Sequence, residues 1–271
     1  MPIEKVQDIL IIPHRIFSKF LKREVIIDLY FPAVKIISDE INLLLINDGQ
    51  DLLTMNFENI LQQLYQEEKI KPVLCVGIHC GEDRKNEYGT ANILDYQGLG
   101  AKAGSYTRFI FEELLPFIKS EYSIASFKEK SFAGFSLGGL SALDIVWNYP
   151  GEFSKVGVFS GSLWWRTLSH DDSEFNEEDH RIMHNEIKNG SYYPWLKFFF
   201  ETGTSDETAD RNNNGIIDSI DDTLSLIDEL VKKGYRPETD ICYLELKDGT
   251  HDRTTWARAF PEFLKWGWKK Q

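Results

Sequence analysis

The chain has 271 residues, 42% hydrophobic and 27% charged, with a formal net charge of -13. That length buries one large core. The charge argues against nucleic acid, whose binding needs a basic footprint, and against an anionic membrane surface.

Residues 5–12 and 24–30 are β-branched runs ended by Pro13 and Pro32, the pattern of an opening antiparallel pair. Residues 41–46 (Ile-Asn-Leu-Leu-Leu-Ile) form a continuous apolar run of the kind buried in a parallel sheet. The run enters a turn, Asn47-Asp48-Gly49-Gln50-Asp51. Residues 56–68 have helical spacing, with Phe57, Ile60, Leu61 and Leu64 on one face. Residues 72–78 are the next buried strand, ending at His79 and followed by a polar loop, 81–88. Residues 106–122 read as one helix with Ile110, Leu114, Leu115 and Ile118 inward.

A short apolar run then meets Gly134-Phe135-Ser136-Leu137-Gly138, and a helical pattern begins at once. Strand, sharp turn with Ser at its apex, helix: this is the order of a nucleophile elbow. Pro150 stops that helix. Residues 155–160, 195–201 and 240–246 are further strands. Residues 222–233 form a helix closed by Gly234, and an aromatic-rich helix runs from Asp252. Strands alternating with helices predict a mostly parallel sheet covered on both faces, with ligands at the carboxyl ends of its strands. One domain spans 1–271, with a small flap at 161–194 that reads equally as a surface insertion. Cys75, Cys80 and Cys242 give neither a disulfide framework nor zinc spacing, which suits a reducing compartment. No apolar run reaches the roughly 20 residues of a membrane helix, and residues 1–5 lack a secretory pattern. The expectation is a cytoplasmic protein with neither nucleic-acid nor membrane partners and an open oligomeric state.

A serine hydroxyl does not ionise at neutral pH, so an imidazole must take its proton. After an elbow the partners come in the order Ser, acid, His. His251, just after a strand and before a helix, is the base. Asp206, past the strand that ends in Phe198-Phe199-Phe200-Glu201, is the acid, with Glu207 as the alternative. The oxyanion donors are the N–H of Leu137 and of Gln50 or a neighbour in its turn. His180 and His184 lack the acidic residue of a zinc-protease helix, and Gly98 to Gly104 lacks dinucleotide spacing.

Asn47-Asp48-Gly49-Gln50, Arg84-x-x-Glu87-Tyr88, Gly134-Phe135-Ser136-Leu137-Gly138-Gly139, Ser160-Gly161-Ser162-Leu163-Trp164-Trp165 and Gly249-Thr250-His251-Asp252 together resemble one esterase family. It holds esterase D-like, feruloyl esterase-like and enterochelin esterase-like α/β-hydrolases. The resemblance implies the α/β-hydrolase fold, with Ser136 as nucleophile, His251 as base and Asp206 as acid. Arg84 and Glu87 would shape the rim beside Tyr88, or else form a structural ion pair. Trp164, Trp165 and Phe135 would wall a bulky or aromatic acyl group of a small-molecule ester. The catalysis needs no cofactor. The rival class is a non-catalytic α/β-hydrolase relative that binds a partner or calcium.

Calcium enters through one stretch outside that pattern. Asp210, Asn212, Asn214, Asp218 and Asp221 fall at positions 1, 3, 5, 9 and 12 of an EF-hand-type loop at 210–221, with Gly215 at 6 and the Ile216 carbonyl at 7. A structural Ca²⁺ is the expectation there; the alternative is an Asn/Asp/Gly-rich surface turn.

Overall fold

A computed structural model describes residues 9–32 and 41–270. In chain order the elements are β1 (Ile9–Ser18), β2 (Arg23–Pro32), β3 (Asn42–Asn47), α1 (Phe57–Gln66), β4 (Val73–Ile78), α2 (Arg84–Glu87), α3 (Ala103–Arg108), α4 (Leu115–Glu121), β5 (Glu129–Phe135), α5 (Leu137–Asn148), β6 (Lys155–Phe159), α6 (Glu177–His180), α7 (Ile182–Asn189), β7 (Lys197–Ser205), α8 (Asp218–Lys233), β8 (Ile241–Thr250) and α9 (Arg253–Trp268). A one-turn helix, Gly49–Asp51, follows β3, and a π-helical turn, Phe109–Leu114, joins α3 to α4.

One eight-stranded sheet has the order β1-β2-β4-β3-β5-β6-β7-β8. β1 and β2 are antiparallel, β2 is antiparallel to β4, and the pairs from β4 to β8 are parallel. The expected α/β architecture is therefore present. β3 and β4 are buried along their whole length, as their unbroken apolar sequences require. Residues of one sheet face pack with Tyr106, Phe109, Leu140, Met183 and Leu226; those of the other pack with Phe57, Leu61, Trp256, Phe260 and Phe263. No helix among the described residues is long and apolar enough to cross a membrane.

Three boundaries depart from expectation. β1 runs on through Pro13 to Ser18, because an edge strand needs no N–H there for a second neighbour; residues 5–8 of the expected strand lie outside the described residues. The helix expected over 106–122 widens into its π turn just ahead of Pro116, which lacks an N–H and whose ring crowds the carbonyl four residues back. α8 starts at Asp218, four residues early, with Asp218 and Asp221 in its first turn where the helix dipole favours carboxylates.

Candidate active site

The elbow is built as the strand–turn–helix sequence demands. Ser136 stands between β5 and α5 with φ 53° and ψ -122°, a conformation side chains rarely hold. The surroundings impose it. The Ser136 N–H donates to the Phe159 carbonyl at 2.8 Å, and its carbonyl accepts from Gly139, Leu140 and Ser162 at 3.0–3.2 Å. A Cβ on Gly134 would lie 2.3 Å from the Gly138 carbonyl oxygen, and one on Gly138 would lie 2.5 Å from Asp48 Oδ2. Glycine at both positions lets β5, α5 and the turn after β3 touch. Ser136 is half-buried, and its Oγ lies 3.3 Å from Ser162 Oγ.

The strand register brings the other two residues together. Ser205 on β7 pairs with Thr250 on β8, so Asp206 and His251 leave the sheet side by side. Asp252 then caps α9, accepting from the N–H groups of Thr254 at 2.8 Å and Thr255 at 3.0 Å, which fixes the turn that carries His251. The His251 ring meets Trp256 edge-on at 5.4 Å. Desolvation by the surrounding protein lowers its pKa, opposed by the Asp206 charge, although the residue keeps an exposed edge. Burial raises Asp206, partly offset by the Gly203 backbone and by His251. Glu207 is exposed and, raised by partial burial, feels Asp218 and Asp222 of α8.

Among the described residues no hydrogen bond joins Ser136 to His251 or His251 to Asp206, and both Asp206 oxygens lack a partner. Such bonds commonly tighten only around bound substrate.

Leu137 is the first residue of α5, so its N–H has no acceptor inside the helix. Gln50 lies in the one-turn helix after β3; its Oε1 accepts the Cys80 N–H at 3.1 Å, tying the turn to the loop after β4. Beneath it, Arg84 grips Asp48 with two bonds of 2.7 Å. Tyr88 is fully buried and its hydroxyl accepts the Asp48 N–H at 3.1 Å. Glu87, 1% exposed, takes the Nε and Nη2 donors of Arg23 at 2.7 and 2.5 Å. Arg84 and Glu87 are thus both ion-paired, but with different partners and not with each other.

The expected aromatic wall is smaller than its sequence. Trp164 is 38% exposed, whereas Trp165 and Phe135 are each 1% exposed. Phe135 stacks on Trp256 at 5.0 Å and is floor rather than wall. The flap stretch is divided: Ile182, Met183, His184 and Ile187 of α7 are buried, so its second half is anchored, and residues 171–174 are exposed. His180 and His184 fall on separate helices, and His184 Nε2 donates to the Asp222 carbonyl at 3.0 Å.

Among the described residues no group of three or more His, Cys, Asp or Glu side chains is placed to hold a metal ion. In the 210–221 loop Asp210 accepts from the N–H groups of Asn214 and Gly215 at 3.1 and 2.9 Å. The carboxamide nitrogens of Asn212 and Asn214 meet Asp221 Oδ2 at 2.7 and 2.8 Å. Asp218 accepts from the Arg211 backbone at 2.9 Å and lies 3.4 Å from its guanidinium.

Sequence reasoning gave no role at this rim to Ser160 and Ser162, quoted there only within a motif, or to Glu201. Trp256 Nε1 donates to Ser160 Oγ at 3.0 Å. Ser160 carries φ 44°, and a positive φ leaves no local trace in a Ser-Gly sequence.

Comparison with known proteins agrees with this architecture. The chain is 23% identical over 226 residues to the uncharacterized protein YbbA of Bacillus subtilis (strain 168), covering 82% of this chain and 83% of that protein. It resembles the enterochelin esterase structure from Shigella flexneri with a TM-score of 0.70 and 21% identity, covering 94% of this chain and 57% of that one. It also resembles the siderophore hydrolase EstB from Aspergillus nidulans with a TM-score of 0.67 and 15% identity, covering 98% and 95%. The family model described as "Putative esterase" matches residues 18–266, and the chain belongs to that family, as a carboxylic ester hydrolase of α/β fold.

Proposed function

We propose that the chain is a serine esterase acting through an acyl-enzyme. Ser136 attacks the ester carbonyl while His251 takes its proton and returns it to the leaving alcohol. Asp206 orients the imidazole. The N–H groups of Leu137 and Gln50 hold the oxyanion. The observation that carries this reading is the pairing of Ser205 with Thr250, which sends Asp206 and His251 off adjacent strands at the rim where Ser136 holds its positive φ. A lowered imidazole pKa suits a general base, since it leaves the ring neutral at pH 7.

The substrate is an ester with a bulky or aromatic acyl group, of feruloyl, acetyl or siderophore type. Trp164 offers the exposed ring surface, and Arg84, Tyr88, Phe135 and Trp165 shape the pocket from beneath. The printed names of similar structures, an enterochelin esterase, a ferulic acid esterase and a siderophore hydrolase, support an aromatic or siderophore ester. Three free thiols suit the reducing cytoplasm. A fluorophosphonate probe tests the mechanism: we expect stoichiometric labelling of the folded chain at Ser136. A folded chain that stays unlabelled overturns the reading.

Calcium in the 210–221 loop is a separate part of the proposal. Asp210, Asn212, Asn214, the Ile216 carbonyl, Asp218 and Asp221 would hold it. The meeting of Asn212, Asn214 and Asp221 at one point supports the reading; the carboxamide nitrogens face Asp221 there, and an ion would require both amides to turn and present oxygen. The ion would be structural, steadying the segment after Asp206. The expected result is a higher melting temperature in calcium than in excess chelator; equal melting temperatures remove the ion.

A further inference from the structure

Glu201 is fully buried near the end of β7, between Phe159 of β6 and Leu244 of β8 in the register. Its carbonyl accepts the Ser160 N–H at 2.8 Å, but neither carboxyl oxygen has a hydrogen-bond partner. A buried polar group left unpaired is costly and uncommon, so it asks for a reason.

The reason lies two residues on. Side chains at i and i+2 of a strand share one face. Gly203 is that neighbour, and a Cβ there would lie 2.7 Å from Asp206 Oδ1. The Asp206 N–H donates to the Gly203 carbonyl at 3.2 Å, so the chain folds back and lays the Asp206 carboxylate over the bare glycine. The missing side chain thereby seats two carboxyl groups on one face of β7. The other groups near Glu201 come from each neighbouring element. Ser160 Oγ, after β6, holds the Trp256 indole. Arg258 of α9 acts on Glu201 by its charge. Tyr243 of β8 feels the Glu201 charge and hydrogen-bonds Thr202 Oγ1 at 2.7 Å.

We propose that Glu201 is a positioning residue for the base: its protonated carboxyl lies against Asp206, and the two carry one negative charge between them behind His251. This rests on the Ser136–His251–Asp206 reading. Two like charges in one buried site do not both ionise readily. Burial, and then the Asp206 charge, push Glu201 up to about 8. At pH 7 it therefore keeps a proton to offer Asp206. As pH passes about 8, Glu201 ionises and a second charge pushes Asp206 off the imidazole. The stability contributed by the neutral carboxyl runs the same way. It is full below the ordinary glutamate range and is lost as pH rises through the folded value.

The test is kcat/KM against pH, from 6 to 10, on an uncharged aryl ester. Wild type should show an alkaline decline with its midpoint near 8 that Glu201→Gln lacks. Glu201→Leu, which offers Asp206 no proton, should lose about tenfold in kcat with KM held, and Glu201→Gln should recover most of that loss. The proposal falls if wild type has no alkaline limb near 8, if Glu201→Gln keeps the limb, or if Glu201→Leu turns over like wild type. Should both variants fail to fold, the wild-type limb alone decides. Fluorophosphonate labelling at pH 7 comes first: no labelling rejects the serine-esterase reading, whereas labelling with the wrong pH profile rejects Glu201 alone.

Discussion

Replacing Ser136 with alanine should lower kcat by roughly 10⁵-fold or more while leaving the melting temperature in place. The two halves of that result have separate causes. The Oγ has one polar neighbour, Ser162 Oγ, and that 3.3 Å contact is long, so its removal costs little even though Ser162 is buried. The elbow itself is held by main-chain bonds, from Ser136 to Phe159 and from Gly139, Leu140 and Ser162 back to Ser136, and alanine keeps all of them. The steric reasons for Gly134 and Gly138 are also unchanged, since they concern backbone and Asp48. What disappears is the nucleophile, and with it the acyl-enzyme. A remnant of catalysis should survive, because the Leu137 N–H and the substrate contacts remain. Turnover of an aryl ester, measured beside a thermal melt of the same sample, checks both halves. An alanine variant within tenfold of wild type would mean that water or another side chain is the attacking group.

How much of this was legible in the sequence depends on how local the cause is. The apolar runs of β3 and β4 can only be buried strands, and the elbow's two glycines state their own reason. The Ser, acid, His order expected after an elbow is part of the proposed function. Glu201 was invisible, because one Glu after three Phe reads as the strand leaving the core; its burial depends on α9 and Ser160 covering it from elsewhere in the chain. The aromatic wall was overread for a related reason. Consecutive residues diverge in direction, so Trp165 turns into the core while Trp164 stays out. Arg84 and Glu87, in a stretch read as a polar loop, were expected to shape the rim or else to form a structural ion pair. Each is paired with a residue of opposite charge far along the chain, Arg84 with the buried Asp48 and Glu87 with the partly exposed Arg23. Long-range ion pairing of this kind has no periodicity to read.

Arg84→Ala should be among the most destabilising single changes in the molecule, costing about 3–5 kcal/mol. Asp48 is 2% exposed, and Arg84 satisfies both of its oxygens in a fork at 2.7 Å. Removing the guanidinium leaves a buried carboxylate with the 3.5 Å approach of Gln50 Nε2 and the Cys80 thiol beside it. At this chain length the melting temperature should fall by roughly 10 °C. Lysine cannot reproduce the fork, so Arg84→Lys should recover only part of the loss. Function should follow structure, because Asp48 Oδ2 lies against the first turn of α5, where a Cβ on Gly138 would be 2.5 Å away. An unpaired Asp48 would compete for the N–H groups that an oxyanion needs, lowering kcat rather than raising KM. Asp48→Asn added to Arg84→Ala should restore much of the stability, since an uncharged amide has far less to lose by burial; the coupling in that double-mutant cycle measures the pair. The opposite pattern, a higher KM with an unchanged melting temperature, would make Arg84 a substrate contact instead of the clamp that holds the rim together.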